Sequence, residues 1–294
     1  MQKILIVGSG DVARRIHSRL APHYRVYALL RDASRAAAWR AAGAVPVLAD
    51  LDDRASLRRI AGLADLVLHL APPPGSGTVD TRTRNLVAAL GEGKSLPRRL
   101  VYVSTTGVYG DCAGAWIDET RHLAAHSGRA GRRVDAERRL RAWGRRSGVT
   151  VSILRAPGIY AADRLPVERL RKGLPALCDA DDVFTNHIHA DDLAAACLAA
   201  VRRGRANRTC NVVDDTALRM AGYFDRVAAA FGLPPPPRLS RAEAERQLSP
   251  MQMSFMCESR RIGNQRMKNE LKLRLAYPTV DDGIRAALAR SNAC

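Results

Sequence analysis

The chain contains 294 residues, of which 47% are hydrophobic and 26% charged, and this balance excludes disordered and collagen-like proteins. No apolar run approaches the roughly 20 residues that span a bilayer, and the N-terminus carries no signal-peptide pattern. The six cysteines stand at no metal-ligand spacing, which favours reduced thiols. We therefore expect a cytoplasmic protein without a membrane partner or a bound metal.

A net charge of +18 would suit a nucleic-acid partner. The 42 arginines are spread over almost every predicted helix, however, and no helix-turn-helix or zinc module accompanies them. We expect no specific nucleic-acid partner.

The first half of the chain alternates apolar runs of strand length with stretches of helix length. The predicted strands cover residues 3–7, 25–30, 45–49, 66–70, 99–104 and 150–154. The predicted helices cover residues 11–21, 34–42, 53–61, 79–90 and 134–147. This order predicts an α/β fold of the Rossmann type, a doubly wound parallel sheet.

The second half is less regular. Its predicted elements are a helix at 190–201, a strand near 209–213, a helix at 217–231 and short helices beyond a four-proline stop. We predict a dinucleotide-binding domain over residues 1–156. In residues 157–294 we expect the remaining sheet strands, at about 185–215, interleaved with a small, mostly helical C-terminal substrate lobe.

Residues 7–13 read VGSGDVA, directly after the first strand and at the start of a helix. This is the G-x-G-x-x-A pattern in the strand-turn-helix context that a dinucleotide site requires. Its first glycine permits the tight turn and its second lets a pyrophosphate approach the backbone at the helix N-terminus. We predict cofactor contacts here from Gly8, Gly10, Asp11 and Val12.

The residue at the end of the second strand indicates whether a Rossmann domain binds NAD or NADP. An acidic residue there reads the ribose 2′-hydroxyl, whereas an arginine accommodates a 2′-phosphate. The sequence has Arg31, then Asp32, with Arg35 one turn later. Since guanidinium suits phosphate, NADP is favoured and NAD remains open. At the ends of the third and fourth strands the predicted cofactor contacts are Asp50, Leu51 and Ala71.

The fifth strand leads into STTGVYGD at 104–111, and later segments read WIDE at 116–119, LRAPGIY at 154–160 and NHIHADD at 186–192. Together with the early glycines, these motifs resemble the short-chain dehydrogenase/reductase superfamily. The resemblance is nearest to the NAD-dependent epimerase/dehydratase family, in its extended or atypical branch. It implies the Rossmann fold and a nicotinamide cofactor, but it identifies no substrate.

The resemblance also implies where the chemistry lies. Thr105 matches the hydroxyl residue that orients a substrate hydroxyl or carbonyl, and Pro157 matches the segment beside the nicotinamide. The family's Tyr-x-x-x-Lys pair is missing, because its two places hold Arg129 and Arg133. A guanidinium stays protonated and cannot replace a phenol as general acid or base.

Another group must then exchange the proton. Tyr109 is our candidate because it lies in the loop after Thr105, and Tyr160, His126 and Asp118 are further ones. His187 and His189 face one side of a predicted strand without a third ligand at metal spacing, so we expect no metal there.

The leading hypothesis is an NAD(P)-dependent oxidoreductase or epimerase/dehydratase-like enzyme acting on a small hydroxyl or carbonyl compound, with a nucleotide sugar as one option. The alternative is a regulatory or sensor protein that keeps the NADP site and is catalytically weak. The missing Tyr and Lys favour the sensor, whereas Thr105 and the near-complete family framework favour the enzyme. A homodimer is left open.

Overall fold

Seven parallel strands form the central sheet of the protein. The structure is a computed structural model, and it describes residues 1–21, 23–254 and 256–291. In chain order the strands are β1 (Gln2–Val7), β2 (Tyr24–Leu30), β3 (Val45–Leu48), β4 (Leu66–His69), β5 (Arg99–Thr105), β6 (Thr150–Ala156) and β7 (Arg208–Asn211). Their order across the sheet is β7-β6-β5-β4-β1-β2-β3. All six strands predicted in the first half are present, and the strand predicted near 209–213 completes the sheet as β7.

The described residues form eleven helices, some of which cover the two faces of this sheet while others build the C-terminal lobe. They are α1 (Asp11–Leu20), α2 (Ala36–Ala41), α3 (Thr81–Gly91), α4 (Gly128–Ser147), α5 (Val167–Arg171), α6 (Ala190–Arg203), α7 (Met220–Ala230), α8 (Arg241–Gln247), α9 (Pro250–Ser254), α10 (Gln265–Glu270) and α11 (Val280–Ser291). Single 3-10 turns lie at Ala33–Arg35, Ser56–Ile60, Thr106–Tyr109 and Ala162–Arg164. The predicted Rossmann-type doubly wound fold is confirmed.

The two faces of β1 show how the sequence builds two hydrophobic layers. Ile4 and Ile6 are fully buried against α1, α2 and α6, whereas Leu5 and Val7 are fully buried in a second layer with α3 and α4. Successive side chains of a strand point to opposite faces, so a continuous apolar run is what a strand covered on both sides needs.

The C-terminal lobe has its own apolar core, formed mainly by α5, α7, α8, α9 and α11. Four short strand pairs also form in the lobe and the neighbouring loops. They are Gly158–Tyr160 with His187–His189, Ala176–Leu177 with Arg238–Leu239, Phe184–Thr185 with Leu218–Arg219, and Trp116–Ile117 with Arg261–Ile262. The lobe is mostly helical, as predicted. The division at residue 156 stays a prediction.

Two predicted helices differ in the structure. The α-helix expected at 53–61 is only the 3-10 turn Ser56–Ile60, because the Ser56 hydroxyl bonds to the carbonyl oxygens of Asp50 and Asp53 and so competes with helical pairing. The helix expected at 134–147 begins six residues earlier, at Gly128, because the Ser127 hydroxyl accepts from the backbone N–H of Ala130 and caps it.

The sheet ends at β3, which pairs with β2 on one side only. This short edge strand contains Pro46, and Val45 and Leu48 are more than one-third exposed. At the opposite edge, β7 packs against α10.

Candidate functional site

A cleft of about 460 Å³ opens at the carboxyl ends of β1, β2, β3 and β4. Open α/β sheets bind their ligands at this edge. The cleft brings together nine of the ten residues predicted to contact the cofactor. Its lining is Gly8, Ser9, Gly10, Asp11, Val12, Ala13, Leu29, Leu30, Arg31, Asp32, Arg35, Ala49, Asp50, Leu51, Leu70, Ala71, Pro72, Arg82 and Arg164.

The two glycines of the turn after β1 are required for different reasons. Gly8 has a φ of +98°, and a Cβ there would lie 2.4 Å from the backbone nitrogen of Ala71, so the protein itself excludes a side chain. At Gly10 a Cβ would meet no atom within 4 Å. The protein leaves open space at Gly10, beside the first turn of α1, and a pyrophosphate fits this position.

The end of β2 carries positive charge toward the cleft. Arg35 donates from Nη2 to the carbonyl oxygen of Ser9 at 2.6 Å, so it reaches the glycine turn. Arg31 is exposed, and no acceptor for it is found among the described residues. The Asp32 carboxylate caps the next turn by accepting from the backbone and hydroxyl of Ser34, which holds the pKa of Asp32 below its usual range. The Asp32 carboxylate therefore serves its own turn. The guanidinium groups of Arg31 and Arg35 line the cleft.

Arg82, which the sequence did not indicate, lines the cleft at the loops after β3 and β4. It forms a bidentate ion pair with Asp52, at 2.6 to 3.1 Å, and donates to the carbonyl oxygen of Pro72. It thereby connects the loops after β3 and β4. Asp50 accepts from the backbone N–H of Asp52 in the same turn.

Arg164 is a second missed residue of the cleft. It comes from the 3-10 turn that follows the LRAPGIY motif, and its Nη2 lies 3.1 Å from Oδ2 of Asp11 at the start of α1. No local pattern in the sequence predicts this contact, since the two residues are 153 positions apart. The cleft thus contains four arginines and three aspartates.

Thr105 ends β5 and lies near the first turn of α4. A Cβ placed at Gly107 would be 3.5 Å from the Thr105 Oγ1 and 3.9 Å from the Ala130 Cβ. The Thr105 hydroxyl accepts from the backbone N–H of Gly107 at 3.2 Å, and we find no acceptor for its proton among the described residues. Neither Thr105 nor Pro157 lines the cleft described above, so their roles stay predictions.

The two arginines in the family's Tyr and Lys places behave differently. Arg133 is buried and donates from Nη1 to the Tyr102 hydroxyl at 2.9 Å and to the Val103 carbonyl oxygen at 2.8 Å. It holds α4 against the carboxyl half of β5. Arg129 lies one turn earlier on the same helix and is exposed. Within the described ranges, no carboxylate pairs with either guanidinium.

The structure places Tyr109 in a buried polar network, and its role as a proton donor stays a prediction. Tyr109 is fully buried, its hydroxyl donates to Oδ1 of Asn211 at 2.7 Å, and it accepts from Nη1 of Arg155 at 2.9 Å. Arg155 in turn forms a bidentate pair with the buried Glu137. Burial raises the pKa of Tyr109, although Arg155 opposes the shift. The phenol belongs to a buried polar network and does not line the cleft.

None of the other proton-transfer candidates lines the cleft, and two of them are hydrogen-bonded to groups outside it. The Tyr160 hydroxyl donates to the carbonyl oxygen of Thr279 inside the lobe core, and Asp118 accepts from Thr120 at the surface. His126 is exposed. His187 is buried, with its pKa lowered to about 4 by desolvation. Across the described ranges, no three His, Cys, Asp or Glu residues come together as metal ligands.

The comparisons with known proteins agree with this geometry. A family model described as NAD(P)H-binding matches residues 8–203. A conserved protein of unknown function from Silicibacter pomeroyi is 30% identical, with a TM-score of 0.81 over 99% of both chains. No curated protein sequence matches the chain.

Two structures of known activity share the fold. A UDP-glucose 4-epimerase from Thermotoga maritima, solved with UDP-glucose, has a TM-score of 0.80 and 17% identity over 99% of both chains. A dTDP-glucose 4,6-dehydratase from Bacillus anthracis, in complex with NAD, has a TM-score of 0.79 and 15% identity over 100% of this chain and 97% of its own. None of the helices in the described ranges has the length and apolar character needed to span a membrane.

Proposed function

Because the chain belongs to the NAD(P)H-binding family and has the fold of the NAD-dependent epimerases and dehydratases, we propose that it is an NADP-dependent oxidoreductase or epimerase-like enzyme. Binding of a nicotinamide cofactor follows from the family. The observation that carries the proposal is the cleft at the carboxyl edge of the sheet, where the glycine turn and the end of β2 face the same space.

The preference for NADP rests on the residues after β2. Asp32 is committed to capping its own turn, whereas Arg31 and Arg35 can direct guanidinium groups at a 2′-phosphate. A planar guanidinium forms paired, charge-assisted hydrogen bonds with phosphate oxygens. We propose that these two arginines select NADP over NAD.

We propose that the reacting centre lies at Thr105, with a small hydroxyl or carbonyl compound as substrate. The bound cofactor supplies a hydride acceptor or donor. The Thr105 hydroxyl, whose proton has no acceptor among the described residues, can donate to a substrate oxygen and hold it in place. A nucleotide sugar is one candidate substrate, since the Thermotoga maritima epimerase was solved with one.

The second candidate function is a sensor that binds NADP and turns over little. The position of Arg133 favours the sensor, because this residue is buried and bonded to β5. The family's Tyr place, one turn earlier on α4, holds Arg129 and supplies no phenol. A missing acid–base group lowers a rate by roughly 10² to 10⁴. Such a protein would still report the cofactor's redox state through binding.

Calorimetry with NADPH and NADH, followed by turnover assays, separates these functions. The assays would offer NADP with alcohols and nucleotide sugars, and NADPH with aldehydes. Product formation would be followed by NMR so that epimers are also detected. Turnover of any of these compounds supports the enzyme. Tight NADPH binding without turnover supports the sensor, and failure to bind either nucleotide contradicts both.

A further inference from the structure

Arg164 connects the C-terminal lobe to the cofactor cleft. Its side chain is about one-third exposed and lines the cleft beside the glycine turn, although its backbone belongs to a turn that packs against α11 of the lobe. The neighbouring Leu165 lies in the lobe core, and the backbone N–H of Arg164 donates to the carbonyl oxygen of Ala161 at 2.9 Å. The lobe thus anchors the backbone while the guanidinium reaches α1.

Asp11 does not depend on Arg164 alone. The Oδ2 atom of Asp11 also accepts from Nε of Arg15 at 2.8 Å. Nη1 of Arg15 in turn donates to Oδ1 of Asp191 at 2.8 Å. Asp163, the residue before Arg164, lies 3.9 Å from Arg15. If Arg164 moved away, Asp11 would keep a charge-assisted partner, so the cost of releasing Arg164 is small.

The ion pair between Asp11 and Arg164 lies at the start of α1, where a dinucleotide bound to a Rossmann fold has its pyrophosphate. Asp11 is the first residue of α1, and the free N–H groups and positive dipole of a helix N-terminus attract phosphate. A carboxylate at this point repels the same ligand, and Arg164 neutralises it in the structure. A pyrophosphate carries more negative charge than Asp11 and would compete for the same guanidinium.

We propose that Arg164 leaves Asp11 and binds the pyrophosphate of the cofactor, so that the C-terminal lobe supplies a phosphate-binding residue to the Rossmann site. The inference rests on the proposed nicotinamide site. It separates two roles among the arginines of the cleft, because Arg164 recognises the phosphates that NAD and NADP share, whereas Arg31 and Arg35 recognise only the 2′-phosphate.

A double-mutant cycle with calorimetry of NADPH and NADH tests this assignment. We expect Arg164→Gln to raise the Kd of both nucleotides about tenfold, with the ratio of the two constants unchanged. We expect Asp11→Asn to lower both constants, because it removes a repelling charge and frees Arg164. In the Asp11→Asn background, Arg164→Gln should again raise both constants about tenfold.

Three outcomes would overturn the inference. If Arg164→Gln has no effect in the Asp11→Asn background, Arg164 only neutralises Asp11 and does not bind phosphate. If it weakens NADPH alone, it acts at the 2′-phosphate. If wild-type protein binds both nucleotides and Arg164→Gln binds them equally well, the proposed function stands and the inference fails.

The matched control is Arg171→Gln, which removes an exposed arginine paired with Glu168 in α5, outside the cleft. It should leave both constants unchanged. Circular dichroism and urea unfolding of each variant establish that the compared proteins are equally folded. Failure of the wild type to bind either nucleotide would contradict the proposed function and this inference together.

Discussion

Replacing Tyr109 by phenylalanine tests whether this residue is structural or catalytic. The substitution removes one hydroxyl from a fully buried network and leaves Oδ1 of Asn211 without its donor and Nη1 of Arg155 without its acceptor. Each buried polar atom that loses its partner costs about 1–3 kcal/mol. Arg155 keeps its bidentate pair with Glu137, so we expect a loss of about 2–4 kcal/mol in the free energy of unfolding.

Urea unfolding measures this loss, and Tyr27→Phe is the matched control. Tyr27 is also buried, but its hydroxyl forms no hydrogen bond within the described ranges, so its removal should change the free energy of unfolding by less than about 0.5 kcal/mol. The Kd for NADPH should be unchanged in both variants. If Tyr109→Phe kept full stability and lost activity or NADPH binding, our structural account of Tyr109 would be refuted.

Three further predictions concern selectivity, pH and proton transfer. Arg31→Asp should weaken the binding of NADPH by about 1.5–3 kcal/mol and leave the binding of NADH nearly unchanged. The control Arg25→Gln, at the other end of β2, should affect the binding of neither nucleotide. Equal dissociation constants of the wild type for NADPH and NADH would remove the argument. Burial raises the pKa of Asp214 to about 8, and its Oδ2 has no partner within the described ranges. An acid whose folded pKa is raised stabilises the fold at low pH and loses this contribution as pH rises, so the free energy of unfolding should fall by about 2 kcal/mol between about pH 6.5 and 8, and this fall should be absent in Asp214→Asn. Denaturant titrations at each pH would measure it, and a fall that persists in the variant would assign it to another group. Arg129→Tyr combined with Arg133→Lys should raise turnover by up to about 10²-fold, because a phenol can exchange a proton and a guanidinium cannot; an unchanged rate would show that another group already transfers it.

The sequence predicted the part of the site that depends on neighbouring residues. Gly8, Gly10 and Asp11 belong to one strand-turn-helix unit, so their spacing already defines their positions in space. The residues after β2 were found in the same way, since parallel strands all end at one edge of the sheet. The cleft contains each of these residues.

The contacts that the sequence reading missed come from distant segments. Arg164 reaches Asp11 from the C-terminal lobe, and Arg82 reaches Asp52 from α3, so only the folded arrangement shows either pair. The surroundings of Tyr109 were not predicted for a related reason. Its motif placed it in the loop after β5, but the 3-10 turn directs its phenol inward to Asn211, on a strand about a hundred positions later.

Pro46 has a consequence for self-association. The backbone N–H of Ala49 donates to the carbonyl oxygen of Leu30, so strand alternation directs the N–H groups of 45 and 47 toward β2 and the positions of 46 and 48 outward. Proline has no N–H, and only Leu48 can therefore donate from the free edge of β3. A second chain would find only one backbone donor for a hydrogen-bond ladder there, although Val45 and Leu48 present apolar surface. The imino acid at this position protects the open end of the sheet against edge-to-edge aggregation.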